Sequence, residues 1–311
     1  MGMRYDYSDV AVLIPCFNEA LTVGKVVAEF KQHLPGAAIY VFDNNSTDGT
    51  AAIAQSSGAV VIGSPRQGKG HVIRHMFSRV ESPLYLMVDG DDTYPASEAP
   101  QLVREFDRGG ADMVVATRIA DFEDSAFRKL HRFGNHLVAR LISVLFGVRT
   151  TDVMSGYRVF SREFVKSLPL LSGGFEVETE MTLQAVAKGY VIREIPVHYG
   201  SRPAGSQSKL NTYSDGLLVL RAIFLIFKDY KPLVFFTALS IVLALLSLLC
   251  GWGPVQDYLT TGLVPRFPRA ILAAALGILS AISIGVGMIL DTLAKFHREN
   301  FELWKKLLNS R

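Results

Sequence analysis

The densest chemistry in this 311-residue chain is Asp89-Gly90-Asp91-Asp92, three carboxylates within four residues behind the apolar run LYLMV. Carboxylates this close repel one another and need a compensating positive charge. At the carboxyl end of a strand, Asp89 and Asp91 can aim at one point, where oxygen-only ligation suits a hard divalent cation such as Mg2+ or Mn2+. An ion there, bridging a diphosphate, neutralises charge on a leaving group. A solvated acidic turn is the alternative. Gly63-Ser64-Pro65-Arg66-Gln67-Gly68-Lys69 matches part of a P-loop, but Gly70 stands where that motif needs Ser or Thr. Pro65 also removes a backbone N–H from the phosphate cradle, so a P-loop ATPase is rejected. Glu176, Glu178 and Glu180 alternate, sharing a face on a strand, whereas on a helix Glu176 and Glu180 would pair. Arg118, Arg128 and Arg132 carry guanidinium forks that suit an anionic phosphate, or else serve as surface cations. His131 and His136 are five apart and share no helical face, so they offer no metal pair.

The elements that must position these groups come in alternation. Residues 10–15 (VAVLIP), 38–43 (AIYVFD), 59–62 (AVVI), 84–89 (LYLMVD) and 112–117 (DMVVAT) have the β-branched, apolar character of buried strands. Helical patterns over 19–32, 70–80 and 97–108 lie between them. Such alternation predicts an α/β fold with a mostly parallel sheet covered on both faces. Ligands bind beyond the carboxyl ends of strands in such sheets. Three of these strands end in the polar clusters CFNE, DNNSTDGT and DGDDTYP. After residue 117 the alternation loosens: helices are expected over 128–146 and 174–188, and a strand over 190–199.

Hydropathy then changes character. The chain is 49% hydrophobic, with a net charge of +3 and no basic footprint for nucleic acid. Its mean hydropathy of +0.25 hides a division near residue 230. Residues 211–231 form an amphipathic juxtamembrane helix that suits an interfacial position. Residues 233–252 and 270–290 are uncharged, each near the roughly 20 residues that span a ~30 Å bilayer core. The alternative is a pair of buried core helices. Lys209, Arg221, Lys228 and Lys231 flank one end of the pair and Lys295, Arg298, Lys305 and Lys306 the other, while the connector holds only Arg266 and Arg269. By the positive-inside bias, both ends face the cytoplasm. The expected organisation is a cytoplasmic catalytic domain over 1–210, the helix over 211–231, the hairpin within 232–291 and a cytoplasmic amphipathic tail over 292–311. No cleaved leader or myristoylation signal is expected from MGMRYDYSDV. Cys16 and Cys250, in unlike contexts, suggest neither a disulfide framework nor a metal motif.

VLIPCFNEA, VFDNNSTDGT and VDGDD, in that order, resemble the inverting family-2 glycosyltransferases, over roughly the first 215 residues. The resemblance implies a GT-A, Rossmann-like nucleotide-sugar-binding domain. It implies that Pro15, Asn18 and Glu19 shape the nucleotide pocket, that Asp43 binds base or ribose, and that Asp89, Gly90 and Asp91 hold metal and diphosphate. Ser46, Thr47 and Asp48 are expected to be structural. Lys69 or Arg66 would touch the nucleotide. The segment DVMSGYR with Ser155, and FEVETE with Glu176 and Glu178, would lie over sugar and acceptor, serving hydroxyl recognition or loop organisation. SRPAGSQSKL is similar to the family's flap, in which Arg202 and Lys209 close on the phosphates and exclude water. Thr93 departs from members that place a Gln there, so water or Asp92 would complete the metal shell.

The membrane hairpin makes the chain similar to polyprenyl-phosphate glycosyltransferases of the dolichol-phosphate mannose synthase type. The implied partners are a nucleotide-sugar (UDP-hexose preferred, GDP-mannose the alternative), undecaprenyl or dolichyl phosphate, membrane lipid and, left open, further copies of the chain. Arg118, Arg128 and Arg132 are then the candidates for holding the lipid phosphate. Two other readings are weighed: a processive polysaccharide synthase and a non-catalytic scaffold. The first lacks its Q-x-x-R-W signature, since Gly251 and Leu303 precede Trp252 and Trp304. The second is disfavoured by the intact Asp43, Asp89 and Asp91.

Overall fold

The computed structural model of the chain describes residues 5–119, 138–145, 147, 150–203, 205 and 212–309. They divide into two compact units, residues 1–223 and 224–311.

The first unit is built on a seven-stranded sheet of order β3-β2-β1-β4-β6-β5-β7. Its strands are β1 Val10–Cys16, β2 Ala38–Asp43, β3 Val60–Gly63, β4 Leu84–Met87, β5 Met113–Ile119, β6 Arg158–Ser161 and β7 Ile192–His198. Its helices are α1 Val23–His33, α2 Thr50–Ser56, α3 Lys69–Arg79, α4 Ala99–Gly109, α5 Arg162–Ser167 and α6 Val177–Ala187, and α7 Thr212–Tyr230 carries the chain from the first unit into the second. The first four strands are parallel, as the alternation predicted. The correction is β6, which runs antiparallel to both β4 and β5. The expected helix over 128–146 lies outside the described residues as far as 137, and 138–145 is helical.

Central strand β1 is buried along almost its whole length, which is why it is continuously apolar rather than alternating. One face of the sheet presents Val12, Ile14, Val41, Leu86, Val114 and Val159 to Val27 and Phe30 of α1 and to Leu102 and Val103 of α4. Aromatic pairs mark the other: Phe42 meets His75, and Phe77 meets Tyr85 and Phe160 edge-on, with centroids 5.4–6.4 Å apart. Helix α6 has Val177 to Ala185 buried throughout, so over that stretch it presents no solvent-exposed face, and its glutamates and threonines must find partners inside.

The second unit is a helical hairpin of α8 Pro232–Thr261 and α9 Phe267–Asn309. Both helices outrun the apolar windows, leaving a connector of residues 262–266 where a longer loop was expected. Ion pairing of Arg266 with Asp257 at 3.2 Å ties that turn. The seam is tight: Ser240 and Ser280 hydroxyls lie 2.8 Å apart, Ser247 donates to Ala273 O at 2.7 Å, and a Cβ on Gly287 would stand 2.8 Å from Phe236 Cβ. Outside the seam the helices are apolar and bare, Leu248 and Leu249 being more than 70% exposed. A buried pair of core helices is therefore not what forms; both are long and apolar enough to cross a membrane.

Candidate active site

Among the described residues three non-glycines take the left-handed conformation, and each lies in a loop leaving the carboxyl end of a parallel strand: Asn18 after β1, Asn45 after β2 and Asp92 after β4. Backbone of this kind persists only where its surroundings over-determine it, and it gathers at functional sites.

The β1 and β2 loops interlock. Asn18 N–H donates to Ser46 Oγ at 2.9 Å, and Thr47 N–H donates to Asn18 Oδ1 at 2.8 Å. Glu19 N–H donates to Thr50 Oγ1 at 2.8 Å, and Ala20 N–H to Asp48 Oδ2 at 3.0 Å. Burial works against the charge on Asp48, but hydrogen bonds from Thr50 and Ala20 win and hold its pKa below the ordinary value. Asp43 accepts from Ser46 N–H at 3.2 Å through Oδ2, while its buried Oδ1 has no hydrogen-bond partner. One oxygen thus builds the turn, and the other takes no part in it. Asn44, which sequence reasoning passed over, is buried and organises the next loop. Its Nδ2 donates to the carbonyls of Ser64 and Arg66, and its Oδ1 accepts from Gly68 N–H.

The acidic loop is held from below and from both sides. Gly90 has no room for a side chain: a Cβ would lie 2.6 Å from Cys16 Sγ. Thr22 precedes α1 without capping it; its hydroxyl instead donates to Gly90 O at 2.6 Å. Asp89 ion-pairs with Lys69 at 2.6 Å, and Lys69 reaches Glu178 at the same distance. Burial alone would push the Lys69 ammonium down, but the two carboxylates outweigh it and raise its pKa. Burial raises the pKa of Glu178, against the pull of Lys69. Asp91 pairs with Arg202 at 2.6 Å and accepts from Thr93 Oγ1 at 2.6 Å. Asp92 instead meets Lys25 at 2.7 Å.

The loop before β6 supports this centre. A Cβ on Gly156 would lie 2.3 Å from Asp89 Oδ2, so Asp89 rests directly on that backbone. Ser155 Oγ lies 3.2 Å from Tyr94 OH and accepts from Tyr157 N–H. Arg118 grips Asp152 with two 2.7 Å bonds and lies over the Tyr199 ring at 5.4 Å. Arg158, fully buried and unremarked in the sequence, donates to Ser155 O at 2.8 Å, Val153 O at 2.7 Å and Thr182 Oγ1 at 2.9 Å. Its signal was an arginine amid Tyr, Val and Phe, where a buried polar group must find partners. Glu176 and Glu180 turn to the backbone of the 171–174 loop, accepting from Gly173 and Gly174 and from Leu171 and Ser172 respectively. Arg128, Arg132 and Lys209 lie outside the described residues.

Among the described residues no cluster of three or more His, Cys, Asp or Glu is set to hold a metal. Two carboxylates suit Mg2+ or Mn2+ nonetheless, since these ions are commonly held by one or two carboxylates plus substrate phosphates. Asp89 and Asp91 fit that pattern.

A Rossmann-like sheet with one reversed internal strand, carrying Asp43 at the end of β2 and Asp89 and Asp91 on the loop after β4, defines a GT-A type glycosyltransferase. Residues 11–168 match Glycosyl transferase family 2, and the chain belongs to that family. It is 30% identical over 302 residues to Glycosyltransferase AglJ of Haloferax volcanii, covering 96% of this chain and 98% of that one. It is also 30% identical over 220 residues to Dolichyl-phosphate hexose transferase of the same organism, covering 71% and 94%. Among solved structures, glucosyl-3-phosphoglycerate synthase from Mycobacterium tuberculosis in complex with Mn2+, UDP and glucosyl-3-phosphoglycerate superposes with a TM-score of 0.59. Identity there is 21%, over 70% of this chain and 79% of that one; the fold is shared.

Proposed function

We propose that the protein transfers a hexose, with inversion, from a nucleoside diphosphate sugar to a polyprenyl phosphate at the cytoplasmic face of a membrane. The observation that carries this reading is that Asp43, ending β2, and Asp89 and Asp91, on the loop after β4, lie at the same carboxyl edge of the parallel strands. Asp43 keeps an unpartnered oxygen for base or ribose, and each of the other two is charge-balanced by a protein cation. A divalent cation held by Asp89 and Asp91 would neutralise charge on the departing diphosphate. The lipid acceptor is supported by the two long apolar helices and by the relative named as a dolichyl-phosphate hexose transferase. Lysines and arginines at both ends of the hairpin favour a cytoplasmic catalytic domain. UDP is the preferred base.

In the reaction, an acceptor phosphate oxygen attacks the anomeric carbon in line while that carbon's bond to the diphosphate breaks. The acceptor needs little deprotonation, because the second pKa of a phosphate monoester is about 6. Pro15, Asn18, Glu19 and Gly90 shape the nucleotide pocket, and Lys69 contacts its phosphates. Arg202 and Lys209 close over the diphosphate; Arg118, Arg128 and Arg132 draw in the anionic acceptor. Ser155, Glu176 and Glu178 are buried and act on the sugar side through the loops they organise.

The test is incubation of the membrane-embedded protein with labelled UDP- or GDP-sugars and undecaprenyl or dolichyl phosphate, with and without EDTA. Label should enter the lipid only when Mg2+ or Mn2+ is present. Asp91→Asn should lower transfer by roughly 10³-fold or more, as expected when an electrostatic contact to the leaving group is removed. Near wild-type transfer by that variant would refute the assignment.

A further inference from the structure

The five charged groups at the centre of the site do more than balance. Asp89 and Asp91, the two carboxylates suited to a metal, are each held by a protein cation at 2.6 Å. Lys69 has a second carboxylate at the same distance, on Glu178 of α6. Glu178 is almost wholly buried, its side chain 3% exposed, and its Oε2 has no hydrogen-bond partner. A buried carboxylate of this kind is costly unless it serves a charge. Asp89 is the more exposed of the two, at 24%. If a cation took Asp89, Lys69 would still have Glu178 beside it, and neither group would be stranded.

We propose that Lys69 is a displaceable counter-ion, with Glu178 as its holding carboxylate, so that divalent metal enters this site with the nucleotide diphosphate rather than ahead of it. The inference rests on the metal-dependent reading above. Metal alone must break the Lys69–Asp89 and Arg202–Asp91 pairs and leaves two cations without those partners. A metal–diphosphate complex breaks the same pairs but brings phosphate oxygens to which Lys69 and Arg202 can turn. Glu178 is a positioning residue in this scheme, acting through Lys69, and the pair sets the order of binding.

The experiment is Mn2+ binding to the purified full-length protein in detergent, read from the free-ion electron paramagnetic resonance signal with and without UDP. The variant is Lys69→Met with Glu178→Gln, which removes one charge of each sign. Net charge stays the same, and buried Arg158, which also faces Glu178, keeps the charge of Asp152. Wild type should bind Mn2+ weakly without UDP and much more tightly with it. The double variant should bind Mn2+ without UDP roughly tenfold more tightly than wild type, the scale of one lost charge contact at intermediate dielectric. By reciprocity, UDP should strengthen Mn2+ binding by correspondingly less in that variant. Lys25→Met, which removes the cation on neighbouring Asp92, should leave nucleotide-free affinity unchanged. Unchanged binding in the double variant, or an equal gain in Lys25→Met, would overturn the counter-ion role. Weaker binding would overturn it too, by making Glu178 a ligand. Absence of Mn2+ binding to wild type even with UDP would instead defeat the metal-dependent reading itself.

Discussion

Gly156→Ala tests whether Asp89 must stand where the fold puts it. The new Cβ would lie 2.3 Å from Asp89 Oδ2 and 2.8 Å from its Cγ. Ordinary contact begins near 3.4 Å, so the carboxylate has to retreat by roughly 1 Å. Backbone conformation is no obstacle, because Gly156 is not among the residues of positive φ. The strain falls on Asp89, which is part exposed and can swing toward the site rather than into the core. Stability should therefore fall by no more than about 1.5 kcal/mol, the mild end of overpacking. Its 2.6 Å bond to Lys69 cannot survive that movement unchanged. Misplacement of a reacting-site group by about 1 Å can cost about 10²-fold in rate, close to 2.7 kcal/mol of barrier. Transfer of labelled sugar to polyprenyl phosphate by the detergent-solubilised protein supplies the rate. Gly63→Ala is the control, since a Cβ there meets nothing within 4 Å. A Gly156→Ala enzyme with the kcat/KM of wild type, folded to the same extent, would refute the claim that Asp89 acts from this position.

Arg158→Met strips the hydrogen bonds from two buried carbonyls and a threonine hydroxyl. Unfolding free energy should drop by about 3–5 kcal/mol, measured on the first unit by hydrogen exchange or tyrosine signals, because Trp252 and Trp304 both lie in the second. Asp152→Asn should cost a similar ~3–5 kcal/mol at neutral pH by leaving Arg118 without its carboxylate. Burial alone would raise the pKa of Asp152, but Arg118 outweighs it and holds the folded value below the ordinary 3.8. Its stabilisation is therefore complete above pH 3.8 and lost as pH falls through the lower folded value. Wild type should lose more stability in that acid window than Asp152→Asn, in which only the remaining depressed carboxylates such as Asp48 contribute. Asn44→Ala frees the 64–68 loop from three side-chain bonds, and KM for the donor should rise roughly tenfold, the effect of losing about one net hydrogen bond's worth of positioning.

The parallel half of the sheet was legible because buried strands there carry unbroken apolar runs, and because each ends in polar residues at the edge where ligands bind. Asp43, Asp89 and Asp91 could be found for the same reason. What stayed hidden depended on contacts between distant segments. Asn44 looked like one more polar residue in a turn, yet its bonds reach Ser64, Arg66 and Gly68. The FEVETE glutamates could be strand or helix by spacing alone; in the fold, Glu178 goes to Lys69 while Glu176 and Glu180 bind loop amides. Thr22 has the type and place of a helix cap, and only the close approach of the acidic loop redirects its hydroxyl to Gly90.

The reversed strand β6 explains why the segment DVMSGYR belongs to the site at all. β4 runs toward the edge where its following loop, residues 88–92, carries Asp89 and Asp91. A parallel neighbour would begin at the opposite edge and place the residues before it there. Because β6 is antiparallel, its first residue, Arg158, pairs with the last of β4, Met87. Residues 152–157 therefore arrive at the same edge as the acidic loop. That brings Gly156 beneath Asp89 and Asp152 to Arg118 of β5, while Arg158 anchors the loop from within the sheet. In an antiparallel pair, side chains alternate faces along each strand, so a slip of one residue would turn Arg158 out of its pocket toward the opposite face. A slip of two would keep its face but carry Gly156 away from Asp89. Register, strand direction and the buried guanidinium thus fix one another, and the position of Asp89 depends on all three.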